Sequence, residues 1–154
     1  MIELKNITID DKEMFDRYFA LKQYEISEFT FTNLFMWRNS YSIRYSIIEG
    51  FLCIFAQYKN DEPFILMPLG VGNIKPVLET IEQYFRQQGN RLIIKSLTEE
   101  MMRQIEEEMP EKFVYQLERN ISDYVYLSAD LTHLEGRKFH AKRNHINKFV
   151  SQNE

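Results

Sequence analysis

A mixed α/β (α+β) fold, one sheet of about seven strands with flanking helices, follows from three features of the 154-residue sequence. Apolar residues alternate with polar ones in three bursts between residues 42 and 69, separated by short turns. Stretches on either side place apolar residues every three or four positions. A strand, a glycine turn, a helix and another strand succeed one another between residues 64 and 97. The first feature marks an antiparallel meander and the second marks helices packed on a sheet. The third marks a parallel crossover, which is right-handed in nearly all sheets.

In chain order, Ile2, Leu4, Ile7 and Ile9 alternate briefly as a first strand. Asp10 or Asp11 caps a helix bearing Phe15, Tyr18 and Phe19. Ser27 and Glu28 precede a second helix, through Phe31, Leu34 and Phe35, and Phe29, Phe31, Phe35, Trp37 and Tyr41 crowd it with aromatics. These rings pack a core or form an exposed stacking or lipid-contacting surface. Ile43, Tyr45 and Ile47 then share one strand face. Glu49-Gly50 turns the chain into FLCIFAQYK, and residues 60–63 turn it into FILMPLG. Pro76 opens a helix with Val77, Leu78, Ile81, Tyr84 and Phe85, closed by Gly89. RLIIKSL reads as a buried strand. Thr98 caps a helix through Met101, Met102, Ile105 and Met109 that Pro110 stops. KFVYQLERN and SDYVYLSADL read as two more strands, and a last helix is predicted from Thr132 or His133 onward.

Apolar residues at 44% and charged residues at 27% support a buried core rather than a disordered chain. The net charge of −4 is unevenly distributed. Residues 1–136 hold 14 basic and 22 acidic side chains, whereas residues 137–150 hold five basic side chains and no acid. An acidic body thus ends in a basic segment. The single cysteine, Cys53, allows no internal disulfide and sits in an apolar run, as a buried thiol does. The N-terminus lacks a signal-peptide pattern, and no apolar run approaches the roughly 20 residues of a membrane span. A cytoplasmic location is expected.

Two places can carry chemistry. Gly70, Gly72 and Asn73 lie between a strand end and a helix start, where backbone amides and the helix dipole hold an anion such as a pyrophosphate. The same glycines equally suit an ordinary strand-to-helix turn. The second place is the basic segment. On a helical wheel Phe139, Ile146 and Val150 fall within about 40° of one another, giving a seam to pack. Arg137, Lys138, Lys142, His145 and Lys148 spread over an arc of about 140° that meets phosphates or water. Arg143 adds a further cation. His133, His140 and His145 lack the spacing of a zinc site, and no nucleophile elbow or phosphate-binding P-loop occurs. Glu106, Glu107 and Glu108 read as the wet face of their helix. Glu49, Asp61, Glu118 and Asp123 are carboxylates among which the sequence selects no general base.

The element order, with glycines after the fourth strand, resembles the GNAT acyl-CoA N-acyltransferase fold. In that family a Gln/Arg-x-x-Gly-x-Gly/Ala turn binds the acetyl-CoA pyrophosphate, and here Met67 stands at the Gln/Arg position. Three segments, FTFTNLFMWRNSY, ERNISDYVYLSADL and GRKFHAKRNHINKF, resemble bacterial proteins similar to the phosphatidylglycerol lysyltransferase C-terminal domain, over nearly the whole chain. Such proteins, like the Fem-type peptidoglycan aminoacyltransferases, carry two GNAT-like domains in tandem and move an amino acid from aminoacyl-tRNA to a lipid or cell-wall acceptor. The resemblance implies a GNAT-like domain over 1–132 and a basic helix over 133–154 that leads into a second such domain. The chain is then expected to be the front half of a longer protein, not a competent enzyme alone. Aminoacyl-tRNA is the implied donor ahead of acetyl-CoA, with tRNA held by Arg137, Lys138, Lys142, Arg143 and Lys148, and transient contact with a membrane surface is compatible. A non-catalytic RNA- or partner-binding module and an acetyl-CoA-dependent N-acetyltransferase are the alternatives.

Overall fold

A computed structural model describes residues 2–24, 26–119 and 122–153. The chain divides into two compact units, 1–117 and 118–154.

Unit 1 is built on one five-stranded sheet in the order β1 (Lys5–Asn6), β2 (Arg44–Ile48), β3 (Phe51–Ala56), β4 (Phe64–Leu66) and β5 (Ile94–Lys95). The first four strands are antiparallel neighbours, and β5 runs parallel to β4. Helix α3 (Lys75–Gln87) makes that crossover, as the glycine turn and Pro76 predict. Tyr45 pairs with Ile54, so those side chains share one face and Phe55 points to the other. Phe15 of α1 (Lys12–Phe19) sits 5.1 Å from the Tyr45 ring and 5.7 Å from Phe31 of α2 (Phe31–Trp37). Phe85 of α3 stacks on Phe55 from the opposite side, at 6.1 Å. With helices on both faces β3 is buried at every position, which is why its sequence is apolar throughout rather than alternating. Cys53 is buried there, and burial pushes its thiol up to about 12. Helix α4 (Glu99–Glu108) is capped by Thr98, whose hydroxyl accepts from the Met101 amide.

Two predicted strands are not strands. Residues 112–118 form no strand and pair with no sheet neighbour among the described residues, and 122–127 form no ladder before helix α5 (Ser128–His133). A period of two reports side chains standing on alternate sides of an extended chain, but a strand also needs a neighbour for its N–H and C=O groups. Val114 is 100% and Leu117 90% exposed, so no sheet covers them. Among the described residues the sheet therefore has five strands rather than about seven, and β5 is a two-residue edge strand, half-buried at Ile94, rather than a buried one.

Unit 2 contains α5, a short 3-10 turn at Arg137–Phe139 and helix α6 (His140–Asn153). The predicted continuous last helix is broken because Leu134 closes α5 in the left-handed conformation (φ 51°) and Gly136 follows at φ 81°. Phe139 is buried, whereas Ile146 and Val150, expected to share its seam, are exposed.

Candidate functional site

The cleft in unit 1 begins with a bulge. Phe55 pairs with Ile65 and Ala56 with Phe64, yet Leu52 bridges Leu69, which leaves one extra residue on the β4 side near Met67-Pro68. Leu52 and Leu69 exchange both backbone hydrogen bonds, at 2.8 and 3.0 Å, so the chain re-pairs with β3 after the bulge. Pairing between β4 and β5 ends at Leu66 and Lys95. Beyond that point lies a cleft of about 230 Å³ between Met67–Gly70 on one wall and the start of α4 on another. This is the carboxyl end of the parallel pair, where open α/β sheets place ligands. Lys22 and Glu100, both on its walls, form an ion pair at 3.1 Å.

Gly70, Gly72 and Asn73 form the turn after this cleft, and each has a local reason to be there. A Cβ on Gly70 would stand 2.6 Å from the Phe51 ring, so close packing against β3 requires glycine. Gly72 has φ +125°, a conformation reserved for glycine. Asn73 closes the turn just before α3, its Oδ1 accepting from the Lys75 amide at 2.8 Å. The anion-holding amides at the α3 start are already in use. Oε2 of Glu108, on the last residue of α4, accepts from the Ile74 amide at 2.8 Å and the Lys75 amide at 3.1 Å. The chain's own carboxylate thus occupies the place where a phosphate oxygen would sit on a helix N-terminus. The amides of Val71, Gly72 and Asn73 have no partner among the described residues, but a second anion there would face the Glu108 charge. The helical pattern places Glu108 on a solvent face, but its partners lie 33 and 34 positions away, and no local pattern announces them.

Unit 2 gathers the cations but uses several of them itself. Lys138 Nζ reaches Asp130 at 2.8 Å. Arg143 donates to the carbonyls of Leu134 and Gly136 and so ties α6 to the end of α5. Lys142 lies 5.1 Å from the centre of the Tyr126 ring. Arg137 and Lys148 are exposed and make no ion pair among the described residues. His140 Nε2 contacts the Asn144 amide at 3.2 Å, and no group of three His, Cys, Asp or Glu side chains among the described residues converges on a metal position. No helix among them is long and apolar enough to cross a membrane.

The family described as phosphatidylglycerol lysyltransferase, C-terminal, matches residues 19–153. This chain belongs to that family. The family takes its description from phosphatidylglycerol lysyltransferase, a transferase by name. A crystal structure of a conserved protein of unknown function from Bacteroides thetaiotaomicron VPI-5482 is similar over 99% of this chain, with 30% sequence identity and a TM-score of 0.88. The chain spans about half the length of that relative, 51%. No curated protein matches the chain.

Proposed function

We propose that this chain is a GNAT-like domain of an aminoacyltransferase that moves an amino acid from aminoacyl-tRNA to a lipid acceptor. In this reading unit 2 holds the tRNA and leads to a second GNAT-like domain. The observation that carries it is the acid-free run 137–150, in which Arg137 and Lys148 stay exposed and unpaired among the described residues. A solvated helix ordinarily mixes both signs of charge. Aminoacyl-tRNA is an activated ester: the acceptor's nucleophile takes the acyl group as the tRNA hydroxyl leaves. Proximity and orientation supply much of the rate, so the absence of a serine or cysteine triad is compatible with the chemistry.

The test is tRNA binding by the full chain across a salt series. Affinity should fall steeply with salt, and Arg137→Glu with Lys148→Glu should lower the log–log slope by about 1.5, close to two released counterions. Binding that ignores salt, or that the double variant leaves unchanged, overturns the reading.

Glu108 favours a second reading, a non-catalytic GNAT-like module that binds RNA or a partner, because that carboxylate fills the helix amides a pyrophosphate would use. Calorimetry with coenzyme A separates this from an acetyl-CoA-dependent enzyme: saturable heat would reject it.

A further inference from the structure

The end of α2 and the β3–β4 turn build an exposed aromatic cluster that neither the cleft nor the basic unit uses. Trp37 meets Tyr41 edge-on at 6.0 Å, and Tyr41 meets Tyr58 at 5.0 Å. Backbone hydrogen bonds fix the arrangement: the Tyr41 amide donates to Trp37 O at 3.0 Å, and the Gln57 amide donates to Tyr41 O at 2.7 Å. Tyr41 is half-buried and packs against the core, whereas its neighbours stay outside. Trp37 is 49% exposed, Tyr58 37% and the neighbouring Met36 68%. The Trp37 indole N–H and the Tyr41 and Tyr58 hydroxyls have no hydrogen-bond partner among the described residues. Each therefore presents an apolar body with a free polar tip.

Cations frame the cluster. The Lys59 ammonium lies 4.9 Å from the Tyr58 ring centre, and the Arg38 guanidinium stacks 3.7 Å from that of Phe35. Two acids share the β3–β4 turn. Glu62 is held by Arg91 at 2.8 Å, which leaves Asp61 as the turn's unpaired acid.

We propose that Trp37, Tyr41, Tyr58 and Met36, flanked by Arg38 and Lys59, form a peripheral docking patch for an anionic phospholipid surface. Aromatic side chains with one apolar and one polar end settle at the headgroup level, where the tips find hydrogen bonds and the rings leave water. Adjacent Lys and Arg match the negative potential of such a surface. The inference deepens the lipid-acceptor reading and rests on it in one respect, that a transferase acting on a lipid must reach the bilayer.

Trp37 is the only tryptophan, so its fluorescence reports on the patch directly. The full chain is titrated with vesicles of equal phosphatidylglycerol and phosphatidylcholine, with and without brominated acyl chains. Emission should shift to the blue and be quenched by the bromines, far less so with phosphatidylcholine alone or in high salt. Arg38→Glu with Lys59→Glu should weaken binding at least fivefold while circular dichroism stays unchanged. An unshifted spectrum with the protein in the supernatant overturns the proposal, as does vesicle binding in which Trp37 escapes quenching. A blue shift that grows with protein concentration and needs no vesicle assigns the patch to a second copy, and also overturns it. Titration with tRNA in the absence of vesicles keeps the two readings apart. Vesicle binding without tRNA binding leaves the patch standing and sinks the tRNA reading, and the reverse result sinks the patch.

Discussion

Unit 1 surrounds Phe15, Ile54, Leu78 and Ile105 with one continuous apolar cluster, whereas unit 2 buries one large apolar side chain, Phe139, among the described residues. Their polar groups differ in the same sense. Unit 1 directs Glu108 into the start of α3 and Tyr45 onto Asp11. Unit 2 holds Lys138 and Asp130 together at the surface and leaves Arg137 and Lys148 in water. Unit 2 thus leaves apolar side chains such as Ile146 and Phe149 exposed beside those cations. Unit 1, by contrast, meets the first amides of α3 with its own carboxylate. The comparison is sharpest in stability, because burial rather than surface charge sets that scale.

The largest expected effect separates the two cores. Phe15→Ala removes a fully buried ring that touches Phe19, Phe31 and Tyr45, and should cost about 3–5 kcal/mol of unfolding free energy in urea. Phe139→Ala should lower the global value by less than about 1 kcal/mol while speeding amide exchange in α6, since local opening need not involve unit 1. Equal losses in the two variants would mean that the units unfold as one, and the comparison would fail.

An intermediate effect is expected at the turn. Glu108→Ala leaves the Ile74 and Lys75 amides without their charged acceptor and should cost about 1–3 kcal/mol. Glu108→Gln keeps an acceptor oxygen without the charge and should cost about half as much. A neutral Glu108→Ala would show that water serves these amides equally well, and would return the turn to the list of open anion sites.

How much of this was legible in the sequence depends on the range of the interaction. The Thr98 cap, Pro76 at the start of α3 and the three-strand meander are local, and the structure has them where the pattern puts them. Phe29 and Phe31 are core, as their spacing suggests, while Trp37 is half outside, because one helical period cannot tell which side of the last turn is covered. The unpaired segments at 112–118 and 122–127 show the limit most plainly. Val114, Leu117 and Tyr124 have strand character, but pairing is decided by what lies alongside, which no alternation encodes. The cationic run was equally visible, yet the bonds from Arg143 to Leu134 and Gly136 depend on a chain reversal that only the left-handed Leu134 makes possible.

The smallest expected effect tests whether unit 1's polar contacts belong to its fold. Tyr45 donates to Asp11 Oδ1 at 2.6 Å beside the buried Phe15, and Tyr45→Phe should cost about 1 kcal/mol at pH 7. Its pH profile says more. Burial, then the Asp11 carboxylate, pushes the Tyr45 hydroxyl from its ordinary 10.0 up to about 12, so its share of stability is complete below pH 10 and is lost as pH rises toward 12. Burial works to raise the Asp11 carboxyl, but hydrogen bonds from Tyr45 and Thr8 outweigh it and hold the group below 3.8. The Asp11 share is therefore present above that value and is lost as pH falls through the lowered one. Removing the hydroxyl should flatten the alkaline decline above pH 10 and move the acid decline to higher pH. The separate fall that begins near pH 9, from the buried Cys53 thiol, should remain. Lys138–Asp130, exposed in unit 2, should contribute under about 1 kcal/mol. If Tyr45→Phe leaves both limbs of the pH profile where they were, the bond to Asp11 is as incidental to the fold as that surface pair, and the contrast between the units reduces to their apolar cores.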